Sequence, residues 1–591
     1  MNRRYLLLLA CFATITIGGC QNAPQITLQG VSFDEPEAPQ PISPAQDWGA
    51  LENGIYATWG NSNARYHKEY IPELKVVQNH SLKAWRNERL NAQVVVWSKD
   101  SLSDLHLDLS DLKSAEWTIG RDALKAYFVR NVLADEFLGG CGHKTKSPET
   151  AHLLADCLEE IEAFNMRARS ARGIWLTIDI PIDAVPGVYT AELSIGSKGE
   201  KSQTLSLEVE VQSRVLPNAA DWKYHLDLWQ NPYAVARIHQ VELWSDKHFS
   251  QMKPLYKMLA GAGQKCITAS IVHKPWGGQT LDHFESMVKH TRQEDGSWAF
   301  DYSIFDTWVS FMMDLGITEQ INCYSLIPWG NHLWYYDESL GLDTFMVAEA
   351  SSKAFASYWA PFLEDFAAHL KEKKWYEITT IAMDERPRKD MLSAIKLIQQ
   401  HAGLKITSAA NYSPGTSEHV YDLSVAPGHL LEDEVLEQRR RKGQITTYYV
   451  CCADEYPNNF TFSPPAEGVW QGWFAYAKKQ DGFLRWAYNS WVEDPIQDSR
   501  FRTWPSGDTY FVYPGPKSSI RFEKLREGIQ DYEKLLILTE ELKESGTEEA
   551  KVQLQQLEEV LLDFETDNIR KEGAEKAVLK GKALLNDLSG V

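Results

Sequence analysis

The feature that most narrows what this chain can fold into is a change of period at Pro217. Upstream, "LSLEVEV" puts Leu205, Leu207, Val209 and Val211 on one face and Ser206, Glu208 and Glu210 on the other. "LTIDIPI" repeats the pattern, and Pro186-Gly187 supplies a turn before "VYTAELSI". Strict alternation broken by turns is the signature of half-buried antiparallel strands, so residues 48–217 read as an antiparallel β-sandwich. One insertion, around "SPETAHLLADCLEEIEAF", reads as a helix. Downstream, short apolar runs alternate with amphipathic helices. The runs are "WKYHLDLW", "KCITASIV", "QINCYSLIPW", "YEITTIAM", "LKITSAANY", "VYDLSVAP", "QITTYYVCC" and "GFLRWAYNSW"; one of the helices runs from about Thr344 to Lys373. Eight strand candidates between Trp222 and Trp491, closed by the helix "RFEKLREGIQDYEKLLIL", predict a (β/α)8 TIM-type barrel over residues 218–541. A doubly wound open sheet is the alternative, but Gly261-x-Gly263 ends a helix before a strand and supports no dinucleotide fingerprint. Residues 542–591 read as extra C-terminal helices packed on the barrel, with Val552, Leu557, Val560, Leu561 and Phe564 as their apolar stripe. The fold class is therefore multidomain α and β.

The first residues stand apart. Arg3 and Arg4 precede an apolar stretch too short to span a bilayer, ending in Ile17-Gly18-Gly19-Cys20. That pattern is a lipobox, which makes residues 1–19 a lipoprotein signal peptide and Cys20 the lipidation site. Residues 20–47, with Pro24, Pro36, Pro39, Pro41 and Pro44, read as a flexible tether. The expected location is the bacterial cell envelope, lipid-anchored on a periplasmic or surface face. A net charge of −21 excludes a nucleic-acid partner, which requires basic surface against phosphates. Cys141 and Cys157 could pair, and the adjacent Cys451 and Cys452 read as buried thiols. No ligand spacing among the cysteines and histidines suggests a metal, and no cofactor is implied.

The chemistry is carried by Asp384 and Glu385, adjacent acids at the end of the fourth strand, "YEITTIAM". Barrel active sites lie at the C-terminal ends of the strands, which favours catalysis over the alternative that one acid caps the next helix. A conventional glycosidase brackets the scissile bond with acids from opposite sides. Neighbours on one strand end approach from a single side instead, as substrate-assisted cleavage requires. There the sugar's own 2-acetamido oxygen attacks the anomeric carbon. In that scheme Glu385 is general acid and then base, while Asp384 orients the acetamide and stabilises an oxazolinium intermediate.

Longer stretches support the same reading. "MDERP", "YYVCCADEYPNNF", "DGFLRWAYNSW", "GDTYFVYPGP", "SIRFEKLREGIQDYE" and "IDIPIDAVPGVYTAEL" together resemble glycoside hydrolase family 123, the β-N-acetylgalactosaminidases, over nearly the whole mature chain. The resemblance implies a β-sandwich before a (β/α)8 catalytic domain, exo-acting removal of terminal β-linked N-acetylgalactosamine from a glycan, and a retaining mechanism with the Asp-Glu pair falling on Asp384 and Glu385. Arg386 stands where the family pattern places a proline after the glutamate, which bears on the subsite beyond the leaving group. Candidate sugar-binding residues at or beyond strand ends are Asn411, Tyr412, Tyr448, Tyr449, Asn489, Trp491, Asp508 and Tyr510, with Trp276 and Trp329 in loops near the same mouth. Two alternatives remain. One is another glycosidase: a β-N-acetylglucosaminidase, or a conventional two-carboxylate enzyme with Asp508 or Glu467 as nucleophile. The other is a non-catalytic glycan-binding lipoprotein.

Overall fold

The computed structural model describes residues 29–590 apart from 38, 40–45, 143–145 and 147–148. The signal peptide and Cys20 lie outside the described residues. Among the described residues no helix is long and apolar enough to cross a membrane.

The N-terminal unit is two packed sheets. One orders strands Tyr56–Gly60, Arg89–Ser98, Ser170–Asp179, Leu124–Ala134 and His152–Glu159, all antiparallel. The other is built on the hairpin Gly187–Gly196 and Gln203–Val215 that the alternation predicts, whose Leu205, Leu207, Val209 and Val211 all enter the core. It departs from a purely antiparallel plan where Asn79–Arg86 pairs in parallel with Gln203–Val215.

Two local expectations fail here. The segment expected to be helical forms the strand His152–Glu159. Its sheet is covered on both sides, with Ala155 and Leu158 lying against Trp175 and Ile520. The resulting continuous apolar run cannot be told from a buried helix by periodicity. Residues 29–37, assigned to the tether by their composition, are docked on the sandwich. Glu35 is paired with Arg172 at 2.6 Å, and although burial acts to raise its carboxyl, the two Arg172 interactions hold it at about 2.

The C-terminal unit is an eight-stranded parallel sheet curled into a near-closed barrel. Its strands are β1 (His225–Leu228), β2 (Cys266–Ser270), β3 (Gln320–Tyr324), β4 (Thr379–Met383), β5 (Lys405–Ala409), β6 (Asp422–Val425), β7 (Ile445–Tyr449) and β8 (Gly482–Arg485). Closure falls between β1 and β2, which share a single backbone bridge at Leu226 and Gln264. Glutamine amides stand in for the missing ladder. Gln264 Oε1 accepts from Leu228 N at 3.0 Å, and Gln230 Oε1 accepts from Thr268 N at 2.8 Å. The β/α alternation lapses between β5 and β6, where only a short 3-10 turn, Ser417–His419, intervenes.

The helix expected from Thr344 starts later, at Lys353, with Ser352 as its N-cap. Leu342–Val347 is instead the edge of a small accessory sheet that also contains His332–Asp337, Lys289–Arg292 and Trp298–Asp301. The strands of this sheet are inserted in the loops after β2 and β3.

Helix Ile520–Ser545 joins the two units. Lys534 Nζ meets Glu88 at 2.5 Å, Arg521 Nε meets Asp156 at 2.9 Å, and Gln530 bonds Arg89 through both its backbone N–H and C=O. All four ionic side chains are 5% exposed or less. A second tie is covalent. Cys141 of the sandwich is disulfide-bonded to Cys452, just past β7, and not to Cys157, which is a buried free thiol. Cys452 is thus not the thiol expected.

Candidate active site

Strand parity decides which side chains reach the barrel mouth. On β4, Thr380 points inward, donating to Asn322 Oδ1 at 2.7 Å, while Ile381 and Met383 enter the outer core. Asp384 continues the inward series and Glu385 follows it.

The two acids have different neighbours. Trp329 Nε1 donates to Asp384 Oδ2 at 2.6 Å, and Arg386 Nη2 lies 3.1 Å from Oδ1. The same guanidinium covers the Trp329 ring at 4.4 Å, and its Nε donates to Ile327 O at 2.9 Å. Arg386, read in sequence as a departure near the site, is therefore the clamp that fixes the strand end. Burial pushes the Asp384 carboxyl up, with Arg386 and the Trp329 hydrogen bond opposing and Glu385 adding to the rise. Glu385 is exposed, and its Oε1 accepts from the Tyr449 hydroxyl at 2.5 Å. Burial and the Glu385 charge raise the Tyr449 hydroxyl, which keeps it a donor.

Beside the acids lies an aromatic floor. Trp229 stacks on Trp276 at 4.9 Å, and Tyr324 at the end of β3 touches both, at 4.4 and 5.0 Å. Tyr324 pairs in register with Ala382 of β4, which brings it beside the acid pair. Its hydroxyl and Trp276 Nε1 are buried donors with no hydrogen-bond partner in the protein. Sequence reasoning missed Tyr324 and Trp229. Tyr324 follows Gln320 and Asn322 at a spacing of two on β3, which is the signal that could have found it.

The other predicted residues divide. Trp276, Trp329 and Tyr449 are at the mouth. Asn411, exposed, and Tyr412, hydrogen-bonded to Glu418 at 3.4 Å, lie at its rim past β5. Five belong to the scaffold. Tyr448 points outward, opposite in parity to Tyr449, and donates to Gln471 O at 2.9 Å. Asn489 is consumed by the backbone of Asn231, accepting from its N–H at 3.0 Å and donating to its C=O at 2.8 Å. Trp491 is buried with its indole N–H on Val512 O at 2.6 Å, and Tyr510 is fully buried, its hydroxyl on Pro495 O. Asp508 is paired with Arg485 at 2.8 Å, both fully buried. Glu467 is buried too, accepting from Asn458 N at 2.7 Å, and desolvation raises its carboxyl to about 8. Both acids proposed as alternative nucleophiles are thus engaged by the protein itself, Asp508 by Arg485 and Glu467 by the Asn458 backbone. A surface cavity of about 850 Å³ lies elsewhere, around Lys223, Asp481 and Tyr532 beneath the N-terminal ends of the strands.

An acid pair, an aromatic floor and unpaired buried donors at the C-terminal mouth of a parallel barrel are the equipment of a glycoside hydrolase. Residues 229–538 match the catalytic domain of glycoside hydrolase 123 and residues 59–197 its N-terminal domain, so the chain belongs to glycoside hydrolase family 123. It is similar to the Clostridium perfringens family 123 glycoside hydrolase studied structurally for glycolipid glycan hydrolysis. That similarity is 26% identity and a TM-score of 0.82, covering 91% of this chain and 98% of the other. A Bacteroides ovatus family 5 xyloglucanase is 9% identical over 76% of this chain and 98% of its own, at a TM-score of 0.27 too low to carry an argument. No curated protein is significantly similar.

Proposed function

We propose that this glycoside hydrolase removes terminal β-linked N-acetylgalactosamine from glycans, of glycolipids or glycoproteins, with retention and substrate assistance. The observation that carries the reading is the asymmetry of the acid pair. Asp384 is fixed by Trp329 and Arg386, as an orienting group should be, while Glu385 is open to solvent with one oxygen held by Tyr449. With Oε1 occupied, Oε2 carries the proton to the glycosidic oxygen. As that bond breaks, the 2-acetamido carbonyl oxygen attacks the anomeric carbon and Asp384 accepts the acetamide N–H, supporting the oxazolinium charge. The Glu385 carboxylate then takes a proton from water as the water opens the ring. In this reading the Tyr324 hydroxyl donates to the acetamido oxygen, and the Trp229–Trp276 floor receives the methyl and ring faces.

Hydrolysis of 4-nitrophenyl β-GalNAc, β-GlcNAc and β-Gal by the mature chain tests the reading, with Asp384→Asn alongside. Turnover of β-GalNAc alone, lost in the variant, is expected. Turnover of β-Gal would overturn substrate assistance, because that sugar has no 2-acetamido group.

We further propose anchorage in the cell envelope through lipidated Cys20. The Cys141–Cys452 disulfide supports it, since such bonds persist in oxidising compartments. Incorporation of labelled fatty acid, abolished by Cys20→Ser, is the test.

A further inference from the structure

The hairpin of His332–Asp337 and Leu342–Val347 at the edge of the accessory sheet starts three residues after Trp329, the indole bonded to Asp384. In register, His332 faces Val347, Trp334 faces Phe345 and Tyr336 faces Asp343, and directly opposed residues share a face. The alternate residues, Leu333, Tyr335 and Met346, turn the other way and pack on the main core, Tyr335 against Tyr358. The outer face is left to aromatic rings. Phe345 touches His332 at 4.8 Å and Trp334 at 4.7 Å, His273 meets Trp334 edge-on at 5.1 Å, and Lys289 Nζ lies 5.0 Å from the Tyr336 ring. Phe345 is 43% exposed and Trp329 41%.

We infer that this face is an aglycone platform: the sugars on the leaving-group side of the scissile bond run from the mouth along Trp329, Trp334, Phe345 and Tyr336. The inference rests on the β-N-acetylgalactosaminidase reading and specifies its substrate class as an oligosaccharide, not a single sugar on a small or peptidic group. Three observations favour a sugar chain as the occupant. The hairpin begins three residues after Trp329, which stands at the mouth with its indole on Asp384. At ~3.3 Å per residue, the strand from His332 to Asp337 extends for about 17 Å, more than one ring needs. Its rings are interleaved with Lys289, His332 and Asp343, and a pyranose offers both a C–H face to stack and hydroxyls to bond. An anionic lipid surface fits less well, because the hairpin carries Glu338 and Asp343 and no lysine or arginine of its own.

The test compares two substrates on the full mature chain: 4-nitrophenyl β-GalNAc and a free tetrasaccharide ending in β-GalNAc. Trp334→Ala and Phe345→Ala should each raise KM for the tetrasaccharide roughly threefold to tenfold, and leave kcat/KM for the aryl glycoside within twofold. Equal losses on both substrates would reduce the residues to a structural role. An unchanged tetrasaccharide KM would overturn the platform. So would a loss confined to glycolipid in vesicles with the free tetrasaccharide unaffected, which would assign the face to a lipid surface. If the wild-type chain hydrolyses neither substrate, it is the proposed function that has failed. Calorimetric binding of the tetrasaccharide, weakened by Trp334→Ala or not, then decides the platform by itself.

Discussion

Tyr449→Phe isolates one contact of the proposed acid. The substitution removes the hydroxyl that reaches Glu385 at 2.5 Å and keeps the ring, which is only 8% exposed and packs with Ala382 and Leu484. A hydrogen bond to a charged group is worth about 1.5–3 kcal/mol. Glu385 is exposed, so solvent compensation puts the loss near the lower end, about 1.5 kcal/mol or roughly tenfold in rate. The loss should depend on the leaving group. Without Tyr449 the carboxyl is free to rotate and its proton is less often aimed at the glycosidic oxygen. A nitrophenolate scarcely needs that proton, whereas a sugar alcohol does. The assay is kcat/KM for 4-nitrophenyl β-GalNAc against a β-GalNAc disaccharide, each for wild type and variant. About tenfold on the disaccharide and less than threefold on the aryl glycoside is expected. Equal loss on both would refute the reasoning and make Tyr449 a binding or folding residue.

Further expectations concern charge and covalent structure. Because burial raises Asp384, the acid limb of kcat/KM should fall above the ordinary aspartate range; a limb below pH 4 in the free enzyme would contradict it. Glu467, raised to about 8, keeps its proton in the native chain over a range where an unfolded glutamate has lost it. Stability therefore declines as pH rises from 4.5 toward 8, by at most about 1.4 kcal/mol per pH unit from this group. The Tm of Glu467→Gln relative to wild type should accordingly grow more favourable from pH 5 to pH 8, and a constant difference would refute the assignment. Replacing Cys141 and Cys452 together by alanine frees a 311-residue separation and should cost about 2–5 kcal/mol, read as a lowered Tm; an unchanged Tm would show that the cross-link stabilises nothing.

Much of the architecture was legible because barrel strands buried on both faces read as short apolar runs between helices. That same property hid His152–Glu159, where an equally continuous run belongs to a doubly covered sandwich strand. The position of Asp384 and Glu385 at the end of β4 was legible from the apolar run before them. Its surroundings were not, because a one-residue uncertainty in strand position reverses which face a side chain occupies. Tyr448 and Tyr449 are neighbours in sequence, and only one of them reaches Glu385. Asp508 and Asn489 carry the chemical groups expected of sugar readers, but Arg485 and the Asn231 backbone use them. Nothing in the sequence joins Cys141 to Cys452, since the pairing depends on how a sandwich loop reaches the barrel. The accessory sheet went unseen because its edge strand leads into the helix at Lys353 with a similar composition.

The contacts of helix Ile520–Ser545 bear on how this enzyme can be inherited. Cutting the chain at Pro217 would strip Lys534 and Arg521 of Glu88 and Asp156, leave Cys452 without Cys141, and bare to water the apolar seam where Ile520 packs with Trp175, Val129 and Leu158. The barrel is therefore not a portable cassette that gene fusion could attach to other binding domains. Any lineage that keeps this catalytic half is bound to keep the sandwich with it, and diversity should accumulate in the loops around the mouth instead of in the order of the parts.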